Sequence, residues 1–266
     1  MSQKYINAWE NLIAQWMVLP SVSDPNNPFR PLQTHPNLSI EHLPEPYLGD
    51  PLKCSIVMIN LNPGEGGYNQ HWNQKGTPGN YVYEACSNGY KGFATPFPFL
   101  LPPHTASYKW WTERWAYLQK LLKMKGIQPN NLYQNPFAIE LCGLHSVGTS
   151  GISFPNYLAA LKTVSPDLDP TKVIDIAIQN SDAKFGFAVG KPIYNALINE
   201  GYTDITNVLG IPHHTVHNAK GALNAREFAV IEKNGSKVLC TWTSGGNSCP
   251  SAAFDSYIQN VIIPLL

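Results

Sequence analysis

The sequence lacks the features that mark several large protein classes. Its 266 residues contain no apolar run near the roughly 18 to 20 residues that a membrane-spanning helix needs. The opening stretch MSQKYINAWE has neither the basic nor the apolar region of a signal peptide. The formal net charge is zero, which argues against a protein that holds nucleic acid mainly by bulk electrostatics. We therefore expect a cytoplasmic protein with no membrane partner.

Cysteine is scarce and is not spaced for metal binding. The five cysteines are scattered along the chain and form no CxxC pair. The glycine clusters contain no Gly-Lys-[Ser/Thr], so they do not form a phosphate loop. We expect reduced thiols and neither a metal site nor a cofactor.

Apolar residues are abundant, and their pattern predicts one large body with an N-terminal attachment. At 43% hydrophobic content the chain can bury a sizeable core. Residues 3–18 repeat apolar side chains at helical spacing, and the Pro- and Asn-rich stretch that follows is irregular. We expect residues 1–50 to pack as a helix and a wrap on a domain formed by residues 51–266, in a monomer.

A buried strand at 55–61 is predicted to deliver a loop to a ligand site. The apolar run stops at Asn62-Pro63-Gly64, and ligands of open α/β sheets bind just beyond such strand ends. An ordinary strand-to-turn junction has the same local pattern.

The remaining pattern alternates strands and helices. Strands are predicted near 137–144, 185–189, 227–232 and 237–242, the last two joined at Asn234-Gly235. Helices are predicted from a cap at Ser107 to about 125, from 170 to 180, from Lys191 towards Gly201, and from Pro250 to the end. This order favours a three-layer α/β/α sandwich with a central, mostly parallel sheet of four to five strands.

Four short motifs together resemble the uracil-DNA glycosylase superfamily, especially its single-strand-selective and mismatch-specific branches. The first is Asn60-Leu61-Asn62-Pro63-Gly64, and the second is Thr95-Pro96-Phe97 before Trp110. The others are 139–144 (IELCGL) and the strand with Gly-Lys-Pro at 185–197. The resemblance spans roughly residues 54–263 and implies an enzyme that flips a base out of DNA and hydrolyses its glycosidic bond.

The resemblance also implies roles for individual residues. Asn62 would hold the attacking water through its amide, and Gly64 would leave the pocket wall open to a base substituted at its 5-position. Phe97 is the candidate for stacking on the base, with Phe93 and Phe99 as rivals, although such aromatics also serve as core. His145 and Ser244 are the further substrate-binding candidates, and the candidates for DNA contact are Lys191, Gly245, Gly246 and Ser251.

The chain departs from the family at the base-reading position, where Glu140 replaces the usual Asn. An ionised carboxylate only accepts hydrogen bonds, which suits the amino group of cytosine and clashes with uracil O4. Burial that raises the pKa of Glu140 would let it also donate to cytosine N3. This predicts a cytosine-type base enlarged at C5, as in bacteriophage DNA, and so a role in antiviral defence. The alternative is a Glu140 that pairs with a buried Lys or Arg.

The second departure is the last loop, where relatives carry His-Pro-Ser-Pro and this chain has TSGGNSCPS at 243–251. Asn247 is the candidate substitute for the missing histidine, with amides, hydroxyls and the helix N-terminus stabilising the leaving base. His213, His214 and His217 could contribute instead, although surface or structural roles are typical of such a cluster.

Two other classes of function stay open. Ser146 in Leu144-His145-Ser146-Val147-Gly148 resembles the nucleophile elbow of an α/β-hydrolase, with Asp175 or Asp204 and His213 or His217 in the required chain order. The other alternative is a non-catalytic nucleic-acid or nucleotide-binding protein of the same fold.

Overall fold

The computed structural model describes residues 2–21, 23–42, 44–64, 106–128, 136–146, 148, 150–207, 215–218, 221–243 and 248–266. These residues include five longer helices: α1 (Ser2–Met17), α2 (Ala106–Met124), α3 (Phe154–Val164), α4 (Pro170–Asn180) and α5 (Lys191–Asn199). The strands are β1 (Leu38–Ser39), β2 (Tyr47–Leu48), β3 (Ile56–Asn60), β4 (Pro136–Glu140), β5 (His145–Ser146), β6 (Phe185–Val189), β7 (Thr203–Asp204), β8 (Thr215–Asn218), β9 (Gly221–Lys233) and β10 (Ser236–Trp242).

Eight strands form one sheet whose centre is parallel. Its order is β2-β4-β3-β6-β10-β9-β7, and β8 pairs with β9. The four neighbours β4, β3, β6 and β10 run parallel, while β2, β7, β8 and β9 join antiparallel. Every residue of β3, β4 and β6 is buried, as expected for parallel strands covered on both faces.

Helices cover both faces of this sheet. Successive residues of a strand point to opposite faces, and in β6 a Cβ added at Gly186 would meet Ile178 of α4 at 3.1 Å. The next residue, Phe187, has its ring 5.1 Å from the ring of Tyr117 in α2. Helices α4 and α2 therefore lie on opposite sides. The architecture is mixed α/β with a mostly parallel centre, and it is compatible with a three-layer sandwich.

Local sequence signals explain where several elements begin and turn. Asp169 caps α4 by accepting from the backbone N–H of Thr171 at 3.0 Å, and Pro170 occupies the first turn. The β9–β10 hairpin turns at Asn234 and Gly235, whose φ angles of 52° and 77° suit a primed turn. Both elements were predicted from these residues.

Three predictions of element bounds were wrong. Helix α2 begins at Ala106, so Ser107 lies inside its first turn and not before it. The second core strand ends at Glu140 because the chain bends at 141–144 before forming β5 with β1. The last helix is a series of short 3-10, α and π turns over 252–265, where Pro264 has no N–H to continue a helical ladder.

The N-terminal segment joins the sheet as well as packing on it. Helix α1 buries Trp9 and Trp16 and contacts α4. Strand β2 adds to the edge of the sheet beside β4, and β1 pairs with β5. The sheet is larger than the predicted four to five strands because β2, β7 and β8 were not predicted. None of the helices within the described residues combines the length and apolar character that crossing a membrane requires.

Candidate functional site

The carboxyl ends of β3 and β4 bring the two predicted motifs together. Parallel pairing places Asn60 opposite Glu140. The pairing continues past the strand ends, where the N–H of Leu141 donates to Asn60 O at 3.0 Å and the N–H of Cys142 donates to Leu61 O at 2.8 Å. The loop at 61–64 and the segment at 141–146 therefore leave the sheet side by side at its ligand-binding edge.

Glu140 is a buried carboxyl group with one atom unpartnered. Its exposed fraction is 6%. The Asn60 amide donates to Oε1 at 2.8 Å, and Oε2 has no hydrogen-bond partner among the described residues. Burial raises the pKa of Glu140 to about 8; the nearby charge of Glu45 adds to the rise, and the bond from Asn60 opposes it. The carboxyl group is therefore protonated at neutral pH.

Within the described residues, the partner of Glu140 is the Asn60 amide. Within the described part of the chain, no Lys or Arg pairs with this carboxyl group. Because Asn60 donates to Oε1, the acid proton belongs on Oε2, and the side chain presents a donor there.

Asn62 lies just past β3 with its amide group anchored. Its Nδ2 donates to Ser146 Oγ at 2.7 Å, which leaves Oδ1 to accept a hydrogen bond, for instance from a water. Gly64 follows with φ at 79°, a conformation that favours glycine. A Cβ at Gly64 would meet no atom of the described residues within 4 Å.

His145 lies beneath this loop and fixes it. The Gly64 carbonyl accepts from the N–H of Ser146 at 2.9 Å, and His145 Nδ1 lies 3.2 Å from the same oxygen. Since a carbonyl only accepts, Nδ1 carries the hydrogen. The other ring nitrogen, Nε2, is 3.1 Å from Glu45 Oε1, and both side chains are buried. His145 was predicted to bind substrate, and its contacts within the chain hold the Gly64 backbone in place.

A small cavity opens beside Glu140 on the α2 side of the sheet. Glu45 lines it too, which brings a second carboxyl group to the same space. The remaining lining residues are apolar or aromatic: Tyr47, Leu48, Trp111 and Ala138. With a volume of about 10 Å³, the cavity bounded by these residues has room for about one water molecule.

Two buried arginines contact residues 248 and 249, near the end of the loop at 243–251. Arg226 Nη2 donates to Ser248 O at 2.9 Å and to Cys249 O at 3.4 Å. Arg114 Nη1 lies 3.4 Å from Cys249 Sγ, and the N–H of Cys249 donates to Glu113 at 3.2 Å. These contacts bring cationic groups to the end of β10, on the same edge of the sheet as Glu140.

Apart from Asn62, Gly64, Glu140 and His145, the predicted site residues fall into two groups. Lys191 begins α5 directly after β6, and Ser251 precedes the turn at Ala252–Phe254; both are exposed near carboxyl ends of central strands. The rest lie outside the described residues: Phe97 with its rivals Phe93 and Phe99, and the loop residues Ser244, Gly245, Gly246 and Asn247. His213 and His214 also lie outside, and His217 belongs to β8.

Sequence reasoning missed Asn60, Glu45 and Trp111. Asn60 could have been found, because it is a polar residue that ends an apolar strand opposite a predicted site residue. Glu45 had no local signal: it reaches the site only because β1 and β2 return the N-terminal segment to the end of β4. Trp111 was read only as part of an apolar helix face.

The nucleophile-elbow interpretation of Ser146 does not fit its surroundings. Ser146 lies in β5, its hydroxyl accepts from Asn62, and the next helix begins only at Phe154. Its proposed acids are engaged elsewhere, Asp175 with Tyr202 at 2.7 Å and Asp204 with Tyr194 at 2.8 Å. Over the described ranges, no three His, Cys, Asp or Glu side chains are grouped to hold a metal ion.

Comparison of the chain with protein-family models, with curated proteins and with solved structures finds no match.

Proposed function

We propose that this protein is a DNA glycosylase that flips out a cytosine-type base, enlarged at C5, and hydrolyses its glycosidic bond. The proposal is carried by Glu140, a buried and neutral carboxyl group whose Oε2 has no partner while Oε1 is held by Asn60. Unpaired buried polar groups are costly in a core, so their presence in a cavity favours a ligand that completes the pairing.

The hydrogen-bonding pattern of Glu140 matches cytosine. With Oε2–H opposite ring atom N3, the acid donates to the N3 lone pair of cytosine. The second lone pair of Oε1 then accepts from the exocyclic amino group. In uracil N3 carries a hydrogen, so the same placement would bring two donors together. A substituent at C5 would lie beside Gly64, where no atom of the described residues comes within 4 Å of an added Cβ.

The loop after β3 supports the hydrolytic step. Glycosidic cleavage passes through an oxocarbenium-like transition state and needs a positioned water. Asn62 offers Oδ1 to such a water, and its bond to Ser146 fixes the direction of the amide plane. An amide is a poor base, so Asn62 orients the water, and most of the barrier is lowered by stabilising the departing base.

One assay tests the proposal. Single- and double-stranded oligonucleotides carrying uracil, cytosine, 5-methyl-, 5-hydroxymethyl- or glucosylated hydroxymethylcytosine are incubated with the protein and examined for abasic sites. We expect release from a 5-substituted cytosine and none from uracil. Glu140→Asn restores an amide and should shift the preference towards uracil. Release of uracil alone would contradict the role of Glu140.

The same assay separates the other classes. Binding of DNA without base release from any substrate would favour a non-catalytic protein of this fold. Ester hydrolysis abolished by Ser146→Ala would favour the hydrolase; as a control, Ser39→Ala removes a neighbouring hydroxyl from the paired strand β1. If glucosylated bases are the substrate, defence against bacteriophage with modified DNA is the role that follows.

A further inference from the structure

Trp110 is a large aromatic side chain left on the surface at the ligand-binding edge of the sheet. Its exposed fraction is 36%, whereas the next tryptophan, Trp111, is buried. The two rings meet edge to face with centroids 4.9 Å apart. Since Trp111 lines the cavity of Glu140, the exposed ring lies one side chain away from that cavity.

The ring of Trp110 is fixed from one side by a cation. The Arg114 guanidinium lies 4.7 Å from its centroid, and Arg114 is itself only 3% exposed. Cation–π contact and the T-shaped packing on Trp111 hold the indole in one orientation, so little side-chain entropy is lost when a ligand stacks on it.

Local charge favours a polyanion at this place. Helix α2 carries four basic side chains and one acidic one, a net charge of +3 in a chain with no net charge overall. Arg114 also contacts Cys249, which joins the helix to the chain after β10. Lys120 pairs with Asp255 and Lys123 lies at the far end of the helix, so the charge beside the ring is that of Lys109 and Arg114 less that of Glu113, a net of +1.

We propose that Trp110, braced by Arg114, is a stacking platform for an unpaired nucleobase next to the target nucleotide, and that the protein therefore binds single-stranded DNA. Every base has a π-face, so stacking accepts any sequence, but only an unpaired and unstacked base offers that face. This inference rests on the proposed function for its DNA partner, but it does not require base release.

The test uses a ligand that cannot engage Glu140 as a substrate. A fluorescent twelve-residue oligothymidylate contains no cytosine-type base, and its binding is followed by anisotropy. Trp110→Ala should weaken this binding by about tenfold, while Trp110→Phe, which keeps an aromatic face, should retain most of it. Affinity for a duplex of the same length should not change, because its bases are paired.

Two controls isolate stacking from charge and from folding. Lys123→Gln removes an exposed charge from the other end of α2 and should change the affinity less than twofold, within the small effect of one screened contact. A twelve-residue abasic oligonucleotide has phosphates but no bases, so Trp110→Ala should leave its binding unchanged. Retained binding by Trp110→Phe also shows that the fold tolerates substitution at this position.

Several results would overturn the inference. These are equal binding of oligothymidylate by wild type and Trp110→Ala, an equal loss on the abasic strand, or no binding of single strands by the wild type. Sedimentation that shows a wild-type dimer dissociated by Trp110→Ala would assign the ring to a second copy of the chain instead. Failure to release any base would contradict the proposed function but would leave the binding result intact.

Discussion

At the scale of single residues, the proposed base recognition depends on the protonation state of Glu140. A carboxyl group with a pKa near 8 can donate at neutral pH and only accept at alkaline pH. Recognition of a cytosine-type base should therefore depend on pH in a way that recognition by an amide would not.

Glu140→Gln should remove the alkaline loss of activity. Glutamine keeps an acceptor for Asn60 and places an N–H donor where Oε2–H was, so it mimics the protonated acid at every pH. Single-turnover rates of base release should fall for the wild type as pH rises through about 8 and stay level for the variant. The same alkaline fall in both proteins would assign the titration to another group.

The same substitution should stabilise the protein above neutral pH. Near pH 4 both states hold the proton. Above the ordinary value of 4.5, the unfolded chain releases this proton while the folded protein keeps it up to about 8, so unfolding becomes easier as pH rises. Denaturant titrations at acid and alkaline pH measure the free energy of unfolding of both proteins. Relative to the wild type, the value for Glu140→Gln should increase with pH, by roughly 3–5 kcal/mol once pH exceeds the folded pKa. A constant difference across pH would contradict this linkage.

At the scale of elements, the site depends on the N-terminal segment that contains β1 and β2, for which the sequence pattern predicts only an irregular wrap. Strands β1 and β2 are two residues each, too short for periodicity to indicate them. Their pairing with β5 and β4 is a long-range event that brings Glu45 to His145. The parallel core strands were predictable because each is a continuous apolar run bounded by turn residues.

The same reasoning explains which site residues were predictable. Asn62, Gly64 and Glu140 directly follow or end buried strands, and strand ends converge in any parallel sheet. The contacts of His145 could not be predicted from its position, because Gly64 belongs to the loop after β3 and Glu45 to the segment before β2. Trp111 and Trp110 differ in exposure although they are adjacent, and only the packed helix distinguishes them.

The buried contact between Glu45 and His145 should couple these elements measurably. Replacing either residue with leucine removes this buried contact, which costs about 2–4 kcal/mol of unfolding free energy. The double variant should lose less than the sum, with a coupling of about 2 kcal/mol. Chemical denaturation of the four proteins measures the cycle.

A matched cycle on Lys120 and Asp255 serves as the control. These side chains are about one-third exposed and lie 2.8 Å apart, so solvent screens their attraction. Their coupling should stay below about 1 kcal/mol. A coupling of equal size in both cycles would mean that the Glu45–His145 contact does not tie the N-terminal segment to the loop at Gly64.

At the scale of the whole molecule, the formal net charge is zero, although helix α2 carries four basic side chains and one acidic one. Long-range attraction of a polyanion is weak when positive and negative charges balance. In the proposed complex, affinity therefore comes mainly from stacking on Trp110 and from base recognition at Glu140, which salt does not screen.

Single-strand binding should therefore depend weakly on salt. Each neutralised phosphate of a single strand contributes about −0.7 to the slope of log K against log salt, so three or four contacts give a slope near −2 to −3. Anisotropy titrations of oligothymidylate across a range of NaCl concentrations measure this slope. Trp110→Ala should lower the affinity at every salt concentration without changing the slope, because the indole carries no charge. A slope steeper than about −5 would indicate about seven or more phosphate contacts and would assign the affinity to electrostatics instead of stacking.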